Sequence, residues 1–133
     1  MNRKLEDLAL GLFRLNAADR PEDIAFVYRN PLRLAVFENG VNTGKLRKFN
    51  SFHSGWVAGI NDLHVKCSGK SRAKLKGEDF TLQGLIRVFS LPDGTAKSLA
   101  FWLRKALRDP SISEQTRLDY FLEDTNGRPS TNT

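Results

Sequence analysis

The chain has a single cysteine, Cys67, among its 133 residues. One cysteine cannot form an intramolecular disulfide, which excludes a secreted domain held together by disulfides. No apolar run approaches the roughly 18 residues of a membrane-spanning helix. The N-terminal residues lack the apolar core of a signal peptide, and there is no Asn-x-Ser/Thr glycosylation site. These absences predict a cytoplasmic protein, with a nuclear or particle-associated location as alternatives.

Acidic residues are scarce in the middle of the chain. Residues 45–76 hold eight Lys and Arg but one acid, Asp62. Residues 1–44 hold six residues of each sign, and residues 77–133 hold seven basic and eight acidic residues. The net charge of +6 therefore comes from one region. Clustered cations attract a polyanion by releasing its condensed counterions, which favours nucleic acid or an anionic membrane surface as the partner.

Apolar spacing predicts one helix near the start of the chain and two near its end. Leu5, Leu8, Leu12 and their neighbours follow the period of an amphipathic helix. A second helix is expected after Thr95, which can cap it, and a third after a capping box. The predicted ranges are Lys4–Leu15, Ala96–Arg108 and, from Ser111-Ile112-Ser113-Glu114, a last helix to about Glu123.

Alternating and continuous apolar runs predict strands between these helices. Asn39-Gly40 tolerates the positive φ of a hairpin turn. Residues 51–55 and the polar, cationic residues 68–77 are expected to be loops. The predicted strands cover residues 24–28, 32–37, 41–49, 56–67 with a break at Asn61-Asp62, and 80–91.

These elements predict an α+β fold. An N-terminal helix should precede an antiparallel sheet of four to five strands, with two C-terminal helices packed on the sheet. We expect residues 1–123 to form a single domain and residues 124–133 to be a flexible polar tail.

Aromatic residues lie among the cations of the basic region. Aromatic faces stack on unpaired bases, so we predict a nucleic-acid-binding protein of little sequence specificity that favours RNA or single-stranded DNA. The predicted contacts are Lys45, Arg47, Lys48, Phe49, Phe52, Trp56, Lys66, Lys70, Arg72, Lys74 and Lys76. The surface extends further if the helix from Ala96 packs beside it, through Lys97, Arg104, Lys105 and Arg108.

Two other interpretations stay open. The first is a small self-assembling structural protein, matrix-like or coat-like, whose basic face contacts an anionic membrane or a packaged genome. It would form a homo-oligomer. The second is that the local positive charge keeps the surface solvated and has no partner.

The sequence gives no positive indication of an enzyme, a cofactor or a metal site. Gly69-Lys70-Ser71 resembles the end of a phosphate-binding loop, but the first glycine of that motif would fall on His64. His53, His64 and Cys67 are too few for structural zinc. Alternation along a strand predicts that Cys67 points inward as a small apolar residue. We therefore predict a protein that is not an enzyme and holds no cofactor or metal.

Overall fold

Asn2 begins the first helix of the fold. The structure is a computed structural model and describes residues 2–16, 20, 22–71 and 75–123. The Asn2 side chain accepts a hydrogen bond from the Leu5 amide, which satisfies one free donor of the first turn. Helix α1 (Arg3–Leu15) then buries Leu5, Leu8 and Leu12 along one face. The predicted N-terminal helix is confirmed.

The described residues form five α-helices, one two-stranded sheet and two short 3₁₀ segments. Their order after α1 is α2 (Ile24–Val27), β1 (Ala35–Glu38), β2 (Val41–Leu46), α3 (Phe52–Cys67), a 3₁₀ turn (Gly77–Asp79), α4 (Leu82–Val88), α5 (Thr95–Ala106) and a second 3₁₀ turn (Leu118–Leu122).

The hairpin turn lies where Asn39-Gly40 predicts it. Both residues have positive φ, 53° and 79°, which Asn tolerates and Gly adopts freely. Strands β1 and β2 pair antiparallel on either side, with Phe37 opposite Asn42 and a bulge between Ala35 and Phe37. The hairpin was predicted correctly, but it is the whole of the described sheet.

Helix α3 replaces a predicted loop and two predicted strands, so that prediction is wrong. The Ser51 hydroxyl accepts a hydrogen bond from the Ser54 amide and begins the helix. The buried face follows a strict four-residue spacing, through Gly55, Gly59, Leu63 and Cys67. Two of these four positions are glycines, so the helical period is not carried by large apolar residues, and this segment fits a strand period equally well.

The glycines of α3 let the helix lie directly on the chain before the hairpin. A Cβ atom on Gly55 would lie 1.9 Å from the Arg29 carbonyl oxygen. A Cβ atom on Gly59 would lie 2.7 Å from a methyl group of Leu32. Residues 29–32 therefore pack against α3 at a distance that only glycine allows.

The segments predicted as the first and last strands are also helical. Residues 24–28 contain the short helix α2, which the Asp23 carboxylate caps through the Ala25 amide. Residues 80–91 contain α4, which begins at Thr81, whose hydroxyl accepts a hydrogen bond from the Gly84 amide. The apolar residues of this segment would fall on both faces of a strand, which predicted a strand buried on both faces. In the structure, Leu82, Leu85 and Ile86 form the buried face of a helix.

The two predicted C-terminal helices have different outcomes. Helix α5 is confirmed within two residues at its C-terminal end, although Thr95 is its first residue and does not cap it. The helix predicted from the capping box is wrong. Ser113 instead accepts a hydrogen bond from the Gln115 amide in a local turn, and only the 3₁₀ turn follows.

The predicted sheet of four to five strands with two helices packed on it is therefore corrected. The fold is α+β, with a two-stranded antiparallel sheet and five helices among the described residues. One core joins α1, α3, α4, α5 and the second 3₁₀ turn. The predicted tail, residues 124–133, lies outside the described residues.

Candidate nucleic-acid interface

Helix α3 divides the basic region into two groups. Lys45, Arg47 and Lys48, the arm cations, come just before the helix on the return arm of the hairpin. Lys70 and Lys76, the loop cations, follow its C-terminal end. Sixteen helical residues separate the groups, and at about 1.5 Å per residue the helix is roughly 24 Å long. Arg72 and Lys74 lie outside the described residues.

The arm cations are exposed and form no ion pair with another described residue. Two of them lie over aromatic rings instead. The Arg47 guanidinium is 4.8 Å from the centre of the Phe49 ring, and the Lys48 ammonium is 4.8 Å from the centre of the Tyr28 ring. These contacts orient the two cations without neutralising them.

Asn30 fixes the backbone that carries the arm cations. It is fully buried, and its amide nitrogen donates to the carbonyl oxygens of Leu34 (2.8 Å) and Arg47 (3.0 Å). Its side-chain oxygen accepts from the Leu34 amide. The Phe49 amide also donates to the Tyr28 carbonyl, which joins the arm to the end of α2. Sequence reasoning missed Asn30 as a positioning residue, because Asn-Pro was interpreted only as a strand boundary.

An open groove of about 480 Å³ lies beside the arm cations. Ala35, Val36 and Phe37 line it, and Arg47 and Lys48 stand at the same groove. The Phe37 side chain is 57% exposed. Phe37 was not among the predicted contacts because it was assigned to a strand face. It pairs with Asn42 in the hairpin, and only the folded chain places it at the same groove as Arg47.

Three aromatic rings meet where α3 begins. Phe52 and Trp56 are stacked, with ring centres 6.1 Å apart and planes inclined by 14°. Phe13 of α1 meets both rings edge-on, at 5.7 Å and 6.1 Å. Phe52 is 43% exposed, whereas Trp56 is half-buried against the core. Of these two predicted contacts, Phe52 presents the larger accessible surface.

Lys66 is held inside the molecule rather than presented to solvent. It pairs with Asp62 one turn earlier on α3, and its side chain is 13% exposed. Its ammonium also lies 5.5 Å from the Phe89 ring centre. Among the predicted cations that the structure describes, Lys66 is the one whose charge a described carboxylate offsets.

Lys76, one of the two loop cations, lies at a second groove, of about 510 Å³, at the C-terminal end of α3. Lys76, Cys67 and Phe80 line it together with Arg117 and Asp119. Asp119 accepts two hydrogen bonds from the Arg117 guanidinium, so this arginine is already neutralised. Lys76 also lies at this groove, is exposed and forms no ion pair with another described residue.

Burial determines the chemistry of Cys67. Its side chain is fully buried as predicted, although on a helix rather than a strand. Loss of solvation raises the pKa of this thiol to about 12, and the nearby Lys66 lowers it only in part. The thiolate required of a nucleophile or a metal ligand is therefore strongly disfavoured at neutral pH. His64, one turn away on the same helix, is exposed.

The cations predicted as an extension lie at the far end of the chain, on and after α5. Lys97, Lys105 and Arg108 are exposed. Arg104 donates to the Ile112 carbonyl at 2.8 Å, and Lys105 lies 4.3 Å from the Phe101 ring centre. Arg104 therefore closes the turn after α5, and α5 itself packs on α1 and α4.

The described residues contain no cluster of three His, Cys, Asp or Glu able to hold a metal ion. None of the described helices combines the length and the apolar character that crossing a membrane requires. Comparison with protein-family models, with curated proteins and with solved structures gave no match.

Proposed function

We propose that this protein binds nucleic acid with little sequence specificity, and RNA or single-stranded DNA in preference to duplex DNA. The arm cations contact phosphates, and the exposed faces of Phe37 and Phe52 stack on unpaired bases. The protein acts as a binding module rather than as an enzyme, in the cytoplasm or in a particle assembled there.

The observation that carries this proposal is the groove beside the hairpin. Arg47 and Lys48 are consecutive, exposed residues on a backbone fixed by Asn30, and neither has a described carboxylate partner. Phe37 exposes its ring at the same groove. An unpaired cation pair beside an exposed aromatic ring suits a strand that offers both a phosphate and an unstacked base.

A salt titration with single-stranded RNA, single-stranded DNA and duplex DNA tests the electrostatic part. Each phosphate contact to a single strand adds about 0.7 to the slope of log affinity against log salt. Replacing Arg47→Gln and Lys48→Gln together should therefore lower the slope by about 1.4 and weaken binding roughly tenfold or more at low salt.

The matched control removes two other exposed arginines, Arg3→Gln and Arg87→Gln. This variant loses the same charge, but Arg3 and Arg87 already lie 3.7 Å and 3.8 Å from Asp7 and Asp79. Its slope should stay near that of the wild type. Equal losses in the two double variants would mean that net charge alone attracts the polyanion, and a wild-type affinity that ignores salt would refute the proposal.

A second candidate is a structural protein that rests on an anionic membrane. Helix α2 favours it, because Ile24, Phe26 and Val27 are 50%, 40% and 61% exposed on a four-residue helix. Exposed apolar side chains near cations suit a lipid surface. Co-sedimentation with vesicles containing anionic lipid should then fall on Phe26→Ser with Val27→Ser, while binding to RNA stays unchanged.

A further inference from the structure

Helix α3 presents a face without formal charge to solvent. The two charged side chains of the helix, Asp62 and Lys66, pair with each other and are half-buried. Val57 and Val65 are 41% and 44% exposed. In a chain of which 27% is Asp, Glu, Lys and Arg, exposed apolar side chains on an uncharged four-turn face indicate a contact surface. The exposed residues of the helix are Phe52, His53, Ser54, Val57, Asn61, His64 and Val65.

The centre of this surface has the same residue types on both sides of Asn61. We define the neutral α3 face as Ser54, Val57, Asn61, Val65 and the half-buried C-cap residue Ser68, which succeed one another at intervals of three, four, four and three residues. This spacing keeps the five residues on one side of a helix. A two-fold axis through Asn61 would place Val57 opposite Val65 and Ser54 opposite Ser68. A surface that pairs with itself in this way is what a symmetric dimer requires.

We propose that the neutral α3 face joins two copies of this chain, with their α3 helices packed antiparallel across Asn61. The two Asn61 amides can then bond to each other at the axis, since each has a donor and an acceptor. A polar pair at one central position also fixes the register of two helices.

Charge favours the neutral α3 face over the other long helices for a contact between two copies. Each copy carries a net charge of +6, so two copies repel each other, and this repulsion is smallest where they meet across a surface free of cations. The other long helices expose cations, for example Arg14 on α1 and Lys97 on α5, whereas the neutral α3 face has none. Antiparallel packing also places the positive N-terminus of one α3 dipole beside the negative C-terminus of the other.

The size of the contact sets its strength. One pair of helices of this length covers less than the roughly 1,200–2,000 Å² of a standard stable interface. We therefore expect a dimer that dissociates at about micromolar concentrations rather than a permanent one.

The dimer would bring the two halves of the basic region together. In one chain, α3 holds the arm cations and the loop cations apart at its two ends. In the antiparallel pair, the start of one α3 helix, near the arm cations, lies beside the end of the other, near the loop cations. The arm of one copy and the loop of the second copy then form one continuous basic surface. The association itself does not depend on the proposed function, and it is tested without nucleic acid.

Sedimentation of the full chain tests the contact and its direction. Dimers of the wild type should be detected before the protein concentration reaches about 200 μM. Val57→Glu or Val65→Glu alone should raise the dissociation constant of the dimer at least tenfold, because each substitution places a carboxylate against an apolar partner. Both valines are surface residues, and circular dichroism checks that each variant is folded. Combining Val57→Glu with Val65→Lys should restore the dimer, since antiparallel packing places each glutamate opposite a lysine.

Cysteine cross-linking tests the axis. Asn61→Cys would lie opposite its own copy and should form a disulfide-linked dimer in air, whereas Lys97→Cys, equally exposed but on α5, should not. The native Cys67 is buried and does not compete. A wild type that stays monomeric at about 200 μM, or an Asn61→Cys variant that cross-links no faster than Lys97→Cys, overturns the proposal. The neutral α3 face would then serve a different partner or none.

Discussion

Helices α3 and α5 pack on the same core but differ in the residue types of their buried and exposed faces. Both pack beside other helices of the core, and α1 contacts each of them. Helix α5 is buried through alanine and leucine and exposes Lys97 and Lys105 to solvent. Helix α3 is buried largely through Gly55 and Gly59 and exposes no charged residue. The difference shows that α3 packs closely against residues 29–32 on its inner side, whereas its uncharged outer side is the surface that we propose for dimerisation.

The largest expected effect concerns the close packing of α3. Gly55→Ala places a methyl group 1.9 Å from the Arg29 carbonyl oxygen. Backbone cannot move aside as a flexible side chain does, so we expect the free energy of unfolding to fall by about 3 kcal/mol or more. Chemical denaturation followed by circular dichroism measures this change.

Gly94→Ala, at the start of α5, is the matched control. A Cβ atom there meets nothing within 4 Å, and the residue has a φ of −67° that alanine adopts readily. Its unfolding free energy should stay unchanged or rise by up to about 1 kcal/mol. Equal responses at Gly55 and Gly94 would mean that α3 does not lie against residues 29–32 as closely as described.

Alkaline pH should lower the stability of the protein through α3, because this helix ends on the buried Cys67. Burial raises the pKa of its thiol to about 12, so the folded state holds the proton more tightly than the unfolded state. The protonated thiol therefore stabilises the folded state fully below the ordinary thiol pKa. This stabilisation is lost as the pH rises from about 9 towards 12, at up to about 1.4 kcal/mol of unfolding free energy per pH unit.

Cys67→Ala separates this loss from other alkaline effects. The variant should be less stable at neutral pH, but its stability should decline less steeply between about pH 9 and 11 than that of the wild type. Parallel curves for the two proteins would show that the thiol ionises in the folded state as easily as in the unfolded one.

Each of the two helices also exposes one phenylalanine, which allows a matched test of base stacking. Phe52 on α3 is 43% exposed and stacked on Trp56, whereas Phe101 on α5 is 54% exposed and lies under Lys105. Phe52→Ala should weaken binding to single-stranded RNA by about 1–3 kcal/mol with little change in salt slope. Phe101→Ala should leave the affinity unchanged. A reversed order of the two affinities would place the interface on α5.

The smallest expected effect concerns a titratable group after the end of α5, where the group is a hydrogen-bonded carboxylate and not a buried thiol as in α3. The Tyr120 hydroxyl donates to Asp109 at 2.5 Å. Hydrogen bonds from Ser111 and, to a smaller extent, from Tyr120 lower the pKa of Asp109. The ionised Asp109 therefore stabilises the folded state above the ordinary carboxyl pKa, and this stabilisation is lost as the pH falls. Tyr120→Phe should cost about 1–2 kcal/mol at neutral pH and less in acid. A cost that does not change with pH would assign it to packing alone.

The sequence predicted the elements whose patterns are local and unambiguous. Helices α1 and α5 alternate apolar and charged faces at a helical period, and Asn39-Gly40 specifies a turn by its backbone preference. Helix α3 was missed because Gly55 and Gly59 were taken as loop and strand residues although they form the buried face. These glycines are needed because α3 packs closely against Arg29 and Leu32, which lie more than twenty residues earlier in the chain.

The candidate site was predicted in its residue types but not in its arrangement. The arm cations and Phe52 are exposed, whereas Lys66 pairs with Asp62 one turn earlier on the same helix. The i,i+4 spacing of Asp62 and Lys66 could have revealed that pair if the segment had been recognised as a helix. Phe37 and Asn30 were missed because the role of Phe37 depends on a groove of the folded chain and that of Asn30 on its burial.

The sequence by itself determined where the positive charge lies along the chain, which segments are amphipathic and where the hairpin turns, because composition and short-range backbone preferences decide these features. Only the tertiary structure decided that α3 separates the arm cations from the loop cations and presents a neutral face. A segment that mixes apolar, polar and glycine residues without a clear helical period satisfies a strand and a helix alike, and packing against residues 29–32 selects between them.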